Sequence, residues 1–475
     1  MSDTENKPQT NNTSGEVVEL YQGAKRIHPK KATGRFANLR IAVLIITQAV
    51  FYLLPWVSYN GRQAVWFDAL GRHFYIFGLA LEPADLLYLT GLLIISAFGL
   101  FWWTTIAGRL WCGYACPQTV YTEIMLWIDH FVEGDRNQRL KLEKEPWNAR
   151  KIRIKTIKYI LIFIVAAWTG ITFVGWFVPI RQVVPAIFSG TASFGVLGVA
   201  FVYGFMTWLM AHIMRGQVCL HMCPYARFQS AMFDHNTLII SYDAERGEPR
   251  GKKKKGDDAP KGACVDCSLC VQVCPVGIDI RDGLQYQCIG CAACIDACDE
   301  VMEKLKQPRG LVRYTTEAVL NHEYTDADIK RQLLRPKVTG YGTVLFIAII
   351  AWIVGISTRD TMRVDIIKDR GVMVRENRLG QFENSYNLHI NNSSELPQTL
   401  TASVNGLETI TLSGLPKEGV VVQAGEVLNI PVQVAAEPDY ATKGSHDIQF
   451  TFTYQQQGST ETRQFTKKTI FIGGE

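Results

Sequence analysis

Apolar positions along the chain follow two patterns. In the first three quarters they gather into runs almost free of charge: residues 41–57 (IAVLIITQAVFYLLPWV), about 86–108, about 159–180, about 194–214 and about 341–357. Crossing bilayer hydrocarbon takes ~20 apolar residues, and the shorter runs reach that length with modest help from their flanks. Trp and Tyr edge the runs, as they do at membrane interfaces, which argues against buried core helices of a soluble protein. From about residue 360 the period becomes two, in SYNLHINN, QTLTASVN, GVVVQAG, VLNIPVQV, HDIQFTFTY and QFTKKTIFI, with Gly, Asn, Pro and Lys between them. That spacing predicts an antiparallel sandwich of about seven strands. Residues 1 to about 35 are rich in Asn, Thr, Ser, Lys and Glu, show neither pattern, and read as disordered.

Charge placement orients the runs. Lys25, Arg26, Lys30, Lys31, Arg35 and Arg40 surround the start of the first. The next connection, 58–85, carries only Arg62 and Arg72, whereas the one after is dense in Lys and Arg from Arg136 to Lys158. Arg181 is alone in the third connection, and Arg215, Arg227 and Lys252–Lys255 follow the fourth run. Short cytoplasmic loops are the basic ones, so this alternation predicts a cytoplasmic N-terminus, a cytoplasmic segment 215–337 and an external C-terminal segment. Net charge is +5 over 475 residues, too mild to suggest nucleic acid. The start of the chain has no signal-peptide core, so the first run is expected to act as an uncleaved anchor.

Twelve cysteines fall into four motifs. Cys264-x-x-Cys267-x-x-Cys270-x-x-x-Cys274-Pro275 and Cys288-x-x-Cys291-x-x-Cys294-x-x-x-Cys298 repeat the bacterial ferredoxin spacing. In that arrangement three thiolates come from one tight loop and the fourth from the other run. Cys264, Cys267, Cys270 and Cys298 are thus assigned to one 4Fe–4S cluster, and Cys288, Cys291, Cys294 and Cys274 to a second. Structural zinc prefers well-separated cysteine pairs to four cysteines in so short a run. The absence of leftover cysteines points to metal or redox chemistry in a reducing compartment.

The other two motifs are Cys-x-x-x-Cys-Pro, at Cys112/Cys116 and Cys219/Cys223, just past the second and fourth runs. Each is followed by an amphipathic stretch ending in Asp-His, at Asp129-His130 and Asp234-His235, which makes an internal repeat. Proline favours the first turn of a helix, so each pair is expected at a helix N-terminus, where thiol pKa values fall. The four thiols are candidates to bind copper, to hold a third metal site or to cycle as disulfides. Small buried residues at a helix break are the plainer alternative. Met206, Met210, Met214, His212, His221 and Met222 add soft ligands nearby, His221 and Met222 being the weaker copper candidates, although a Met stripe at helical spacing is usually packing or lipid contact.

These motifs, with WCGYACPQTVYTEIMLWIDHFVEGDRNQRLKLEKEPW, CPYARFQSAMFDHNTLIISYDAERGEPRG and DRGVMVRENRLGQFENSYNLHINN, resemble the CcoG/FixG/RdxA family of accessory proteins for cbb3-type cytochrome c oxidase. The resemblance covers nearly all the chain after its tail. It implies a multi-pass protein of the bacterial inner membrane, a cytoplasmic dicluster ferredoxin region and a periplasmic immunoglobulin-like domain. It also implies reduction of Cu(II) to Cu(I) for the oxidase, with Cys112, Cys116, Cys219 and Cys223 at the family's membrane-edge positions.

The expected fold is therefore a multidomain membrane protein. A basic tail, 1–36, precedes a four-helix membrane region, 37–214. A cytoplasmic region, 215–337, contains the dicluster ferredoxin domain at about 258–305. A fifth transmembrane helix, 338–358, leads to an all-β immunoglobulin-like sandwich, 359–475. The chain has no Rossmann glycine pattern, Walker motif or c-type haem Cys-x-x-Cys-His, so electrons must come from an outside donor: a ferredoxin, a flavoprotein or quinol. A quinol dehydrogenase and a non-enzymatic copper-binding scaffold are the rival readings. Expected partners are copper ions, copper chaperones or oxidase assembly factors, the electron donor and membrane lipid, with no nucleic acid; a homodimer is compatible with the sequence.

Overall fold

A computed structural model describes residues 27–474 apart from 82, 252–261, 326–327, 329–333, 370–373, 395 and 459–460. Most of the tail read as disordered, and the Lys252–Lys255 run, lie outside the described residues. Among the described residues five helices are long and apolar enough to cross a membrane: Arg35–Trp56, Leu86–Ala107, Ala149–Val174, Phe194–Met214 and Pro336–Ser357. The third begins well before the apolar run at about 159. Asn148 caps it by accepting the Lys151 amide at 2.7 Å, and its basic first turns find carboxylates on a neighbouring helix.

Close backbone contact sets the pairing of the spans. A Cβ added at Gly170 would lie 2.1 Å from the Ala200 carbonyl oxygen, and one at Gly204 2.8 Å from that of Ala166. Spans three and four therefore meet through small residues, the usual solution where lipid offers no hydrophobic drive. Spans two and five run antiparallel and are tied at both ends. Trp352 Nε1 donates to Tyr88 O at 2.7 Å, and Trp102 Nε1 donates to Val338 O at 3.0 Å.

The connection between spans one and two folds into a two-stranded hairpin and a small sheet of Val65–Asp68, His73–Ile76 and Leu79–Leu81. Its strands are too short for a period-two signal. Buried Asp85 receives Arg359 and Arg363, each at 2.6 Å, and Arg359 also reaches Ala80 O at 2.6 Å. These bonds hold the C-terminal sandwich against that connection.

The sandwich has nine strands among the described residues rather than about seven. One sheet runs Thr411–Ser413, Val427–Ala436, Phe382–Asn392, Met362–Lys368, with Arg375–Glu376 also on Phe382–Asn392; the other runs Val420–Val422, Gln398–Asn405, Gly444–Gln456, Thr462–Gly473. Alternate side chains close the core, including Tyr386, Leu388, Ile390, Phe450, Phe452 and Phe471. Two of the strands beyond the periodic runs, Thr411–Ser413 and Arg375–Glu376, are too short to show alternation.

A buried ionic cluster fixes helix Pro117–Glu133 against spans three and four. Asp129 pairs with Arg215 at 2.6 Å and Lys158 at 3.0 Å, while Glu133 pairs with Lys155 at 2.6 Å and Lys158 at 3.0 Å. Burial opposes charge on Asp129, but Arg215 and Lys158 win and hold its carboxyl well below the usual carboxylate range. A depressed acid stabilises the fold above its unfolded pKa, and that contribution fades as pH falls through the folded value. Asp129→Asn leaves buried cations uncompensated, and the expected cost is about 3–5 kcal/mol. Thermal unfolding in detergent checks this; an unchanged midpoint refutes it.

Candidate metal centres

The ferredoxin insert is closed by its ends. Strand Ile239–Tyr242 enters it and pairs antiparallel with Val312–Thr315, which leaves it. In each cysteine run the residue after the second cysteine is left-handed, Ser268 at φ 55° and Ala292 at φ 59°. Each such residue turns the chain into a helix carrying the third cysteine, Leu269–Gln272 for Cys270 and Ala293–Lys304 for Cys294 and Cys298. The repeated spacing thus produces a repeated backbone.

Two cavities result. Cys264, Cys267, Cys270 and Cys298 line one, together with Val301, Met302 and Leu311. Cys274, Cys288, Cys291 and Cys294 line the other, together with Val276, Ile278 and Ile280, and Cys270 touches it as well. Four thiols around a mostly apolar cradle suit a cubane. Among the described residues no three His, Cys, Asp or Glu groups close on a single-ion site. Burial, then neighbouring charges, raises the thiols: Cys288 and Cys298 are each pushed up to about 12. Loading either cradle must therefore release protons.

The two membrane-edge pairs also come together. Cys116 and Cys223 each occupy the N-cap of a helix that starts with proline, Pro117–Glu133 and Pro224–Met232. Cys112 lies on the short helix Leu110–Tyr114 and Cys219 in the wide turn Val218–Met222. Cys112 feels the charge of Cys116 and Cys219, Cys116 feels Cys223, and Cys219 feels both Cys116 and Cys223. Among the described residues the four form no ready-made single-ion site.

The expectation of lowered thiol pKa values at these helix starts is corrected. Burial pushes Cys112 up to about 12 and Cys219 up to about 11. Cys116 is raised too, by burial, although the amides of Gln118 and Thr119 pull it down. Loss of water outweighs the partial charge of a helix end. Cys112 Sγ donates to Gln229 Oε1 at 3.5 Å.

This thiol group abuts the second cradle. A Cβ added at Gly113 would lie 2.8 Å from Cys291 Cα and N, so the Cys112 helix packs directly on the Cys288–Cys291 loop. Cys112 and Leu220 share an apolar cluster with Cys274, Cys291 and Cys294. The other soft ligands differ in placement, His221 and Met222 sharing the turn that carries Cys219. His212 is fully buried edge-on to Tyr159 at 5.7 Å, Met206 is 37% exposed at a span surface, and His221 and Met222 are exposed.

Residues that spacing could not reveal complete the site. Asp296 accepts the amides of Phe36 at 3.2 Å and Ala37 at 2.7 Å, capping the first span from inside the ferredoxin fold. Arg109 and Gln229 are buried beside the thiols. The sequence signal for Arg109, its place three residues before Cys112, is visible only once the fold gives it a role.

Exchanging Cys274 for Ser is expected to damage the cluster of Cys288, Cys291 and Cys294 and spare that of Cys264, Cys267 and Cys270. Iron should fall from about eight per chain to about four by ligand arithmetic. EPR of the reduced protein with iron analysis reads this; loss of the Cys264 set instead breaks the interlocked assignment. In the metal-free protein, alkylation of Cys112 should stay slow until pH nears its raised value of about 12, and fast alkylation at pH 8 contradicts the burial argument.

Comparison with known proteins agrees with this geometry. The family profile for a 4Fe–4S dicluster domain matches residues 214–317, and that for a 4Fe–4S binding domain matches 89–137. The profile for the immunoglobulin-like fold at the C-terminus of FixG matches 352–474. The nitrogen fixation protein FixG of Rhizobium meliloti is 35% identical, over 83% of this chain and 82% of its own. RdxB of Cereibacter sphaeroides is 34% identical over 89% and 91%, and RdxA of the same organism 33% over 82% and 84%. Five apolar helices, a dicluster ferredoxin insert and a terminal sandwich, matched along most of the chain, place this protein in the FixG family of membrane iron–sulfur electron-transfer proteins.

Proposed function

We propose that the protein reduces Cu(II) to Cu(I) at Cys112, Cys116, Cys219 and Cys223, for assembly of a cbb3-type cytochrome c oxidase. The observation that carries this reading is the packing of the four-thiol group on the second cluster cradle through Gly113. Copper takes one electron and no proton in the change, Cu(II) + e⁻ → Cu(I), and the electron originates in an external reduced ferredoxin, flavin or quinol. When bound, the two 4Fe–4S clusters supply electrons singly at low potential. Thiolate sulfur favours Cu(I) over harder competitors and so raises the copper couple. Cys112, Cys116 and Cys219 give up protons as they take the ion, since burial holds them neutral beforehand.

The Lys and Arg distribution supports a cytoplasmic ferredoxin end and a periplasmic sandwich in the inner membrane. On that orientation copper is handled at the cytoplasmic leaflet, and copper chaperones or oxidase assembly factors are the partners. One observation favours a second reading. The 4Fe–4S binding profile covers 89–137, where Cys112 and Cys116 are the only cysteines, two short of a cubane. Cys219 and Cys223 supply the missing two, which would make the site a third cluster.

Anaerobic purification, metal analysis and a Cu(I)-chelator assay on the reduced protein separate these readings. Changing the four membrane-edge cysteines to Ala is expected to abolish copper turnover and leave the iron of the eight ferredoxin cysteines in place. Loss of about four irons supports the third cluster. Turnover of quinol without copper supports a quinol dehydrogenase, and copper bound without turnover supports a scaffold. A reporter fused after Glu475 should be active only in its periplasmic form; cytoplasmic activity overturns the orientation.

A further inference from the structure

We propose that Arg109 is the shared counter-charge of the four-thiol site and the second cluster cradle, setting the potentials of both. The proposal rests on the four thiols holding a metal, copper or iron. Arg109 is only 8% exposed. Its Nη2 donates to Ala226 O at 2.5 Å, on the helix that Cys223 caps. Its own carbonyl oxygen accepts the Gly113 amide at 3.2 Å and would lie 3.1 Å from a Cβ added at Gly290, between Cys288 and Cys291. The residue is thus wedged between the two sites.

Among the described residues no carboxylate pairs with Arg109, and its Nε has no hydrogen-bond partner. The arginine before the other cysteine pair behaves differently, since Arg215 binds Asp129 at 2.6 Å. A lone buried cation is costly unless an anion joins it. Among the described residues, Cys112, Cys219 and Cys288 lie within reach of the Arg109 charge. Thiolates on Cu(I) or on a cubane carry net negative charge, so the loaded sites provide the missing anions. At either site the reduced state holds one more electron than the oxidised one. A fixed cation therefore favours reduction at both, and more strongly in a dehydrated setting than in water.

The decisive substitution is Arg109→Gln, whose amide can still donate to Ala226 O without the charge. In full-length, anaerobically purified protein, an EPR-monitored titration should find the second-cluster midpoint lowered by about 59 mV or more, a tenfold change for one electron. The midpoint of the Cys264 cluster should hold. Copper(I) affinity, read by competition with a chromophoric chelator, should drop about tenfold, the same step in free energy. Arg109→Lys keeps the charge and should restore both values. Normal iron with unmoved midpoints in R109Q overturns the proposal, as do equal shifts of both clusters. Iron lost from R109Q and kept in R109K supports a requirement for charge; iron lost from both makes Arg109 a packing residue and overturns it. If the four cysteines bind no metal, the chelator arm is silent in wild type, while the second-cluster midpoint still judges Arg109.

Discussion

One carboxylate inside the ferredoxin fold decides where the membrane bundle begins. Asp296 sits between Cys294 and Cys298 and accepts two amides at the start of span one. A helix start offers unpaired amides and partial positive charge, so a buried carboxylate there satisfies donors that lipid and protein would otherwise strand. The approach leaves no slack, because a Cβ at Gly34 would lie 2.4 Å from the Asp296 carboxyl carbon. The cluster domain and the first span are consequently one unit. The helix that presents Cys294 to its cradle is also the cap of a membrane helix.

The same device recurs in the two repeated hairpins. Asp129 ends the first amphipathic stretch and binds Lys158 within span three and Arg215 just past span four. Asp234 ends the second and binds Arg335 at 2.7 Å and Lys337 at 3.1 Å, at the start of span five. Each acid fastens a hairpin to the next segment of the bundle. Symmetry fails at the arginines, because Arg215 is neutralised by its acid and Arg109 is left to face the thiols. Among the described residues, the repeat pairs one arginine with an acid and leaves the other facing the thiols.

The spans, the ferredoxin cradles and the sandwich were legible because each rests on a strong local rule. Charge-free length marks the spans, cysteine spacing the cradles, and period-two alternation the sandwich. What escaped depends on contact. Asp296 looks like a surface acid on an amphipathic helix until the first span arrives at it. Gly113 looks like a loop glycine until Cys291 occupies the space of its side chain. The thiol prediction failed for a related reason. Proline after cysteine correctly located the helix starts, but burial depends on the whole fold, and here it overrides the helix end.

That reversal bears on how the site can work. Ionised thiols beside the second cradle would oppose every electron arriving there. Thiols held neutral by burial, as at Cys112, Cys116 and Cys219, do not. On the proposed reading, metal entry exchanges protons for a cation, and the new thiolate charge is met by the arginine already in place. On that reading burial couples metal occupancy to proton release, and the fixed cation keeps the resulting anion from closing the route for electrons. An exposed set of low-pKa thiolates would bind metal more readily, but it would repel the electron the neighbouring cradle has to deliver.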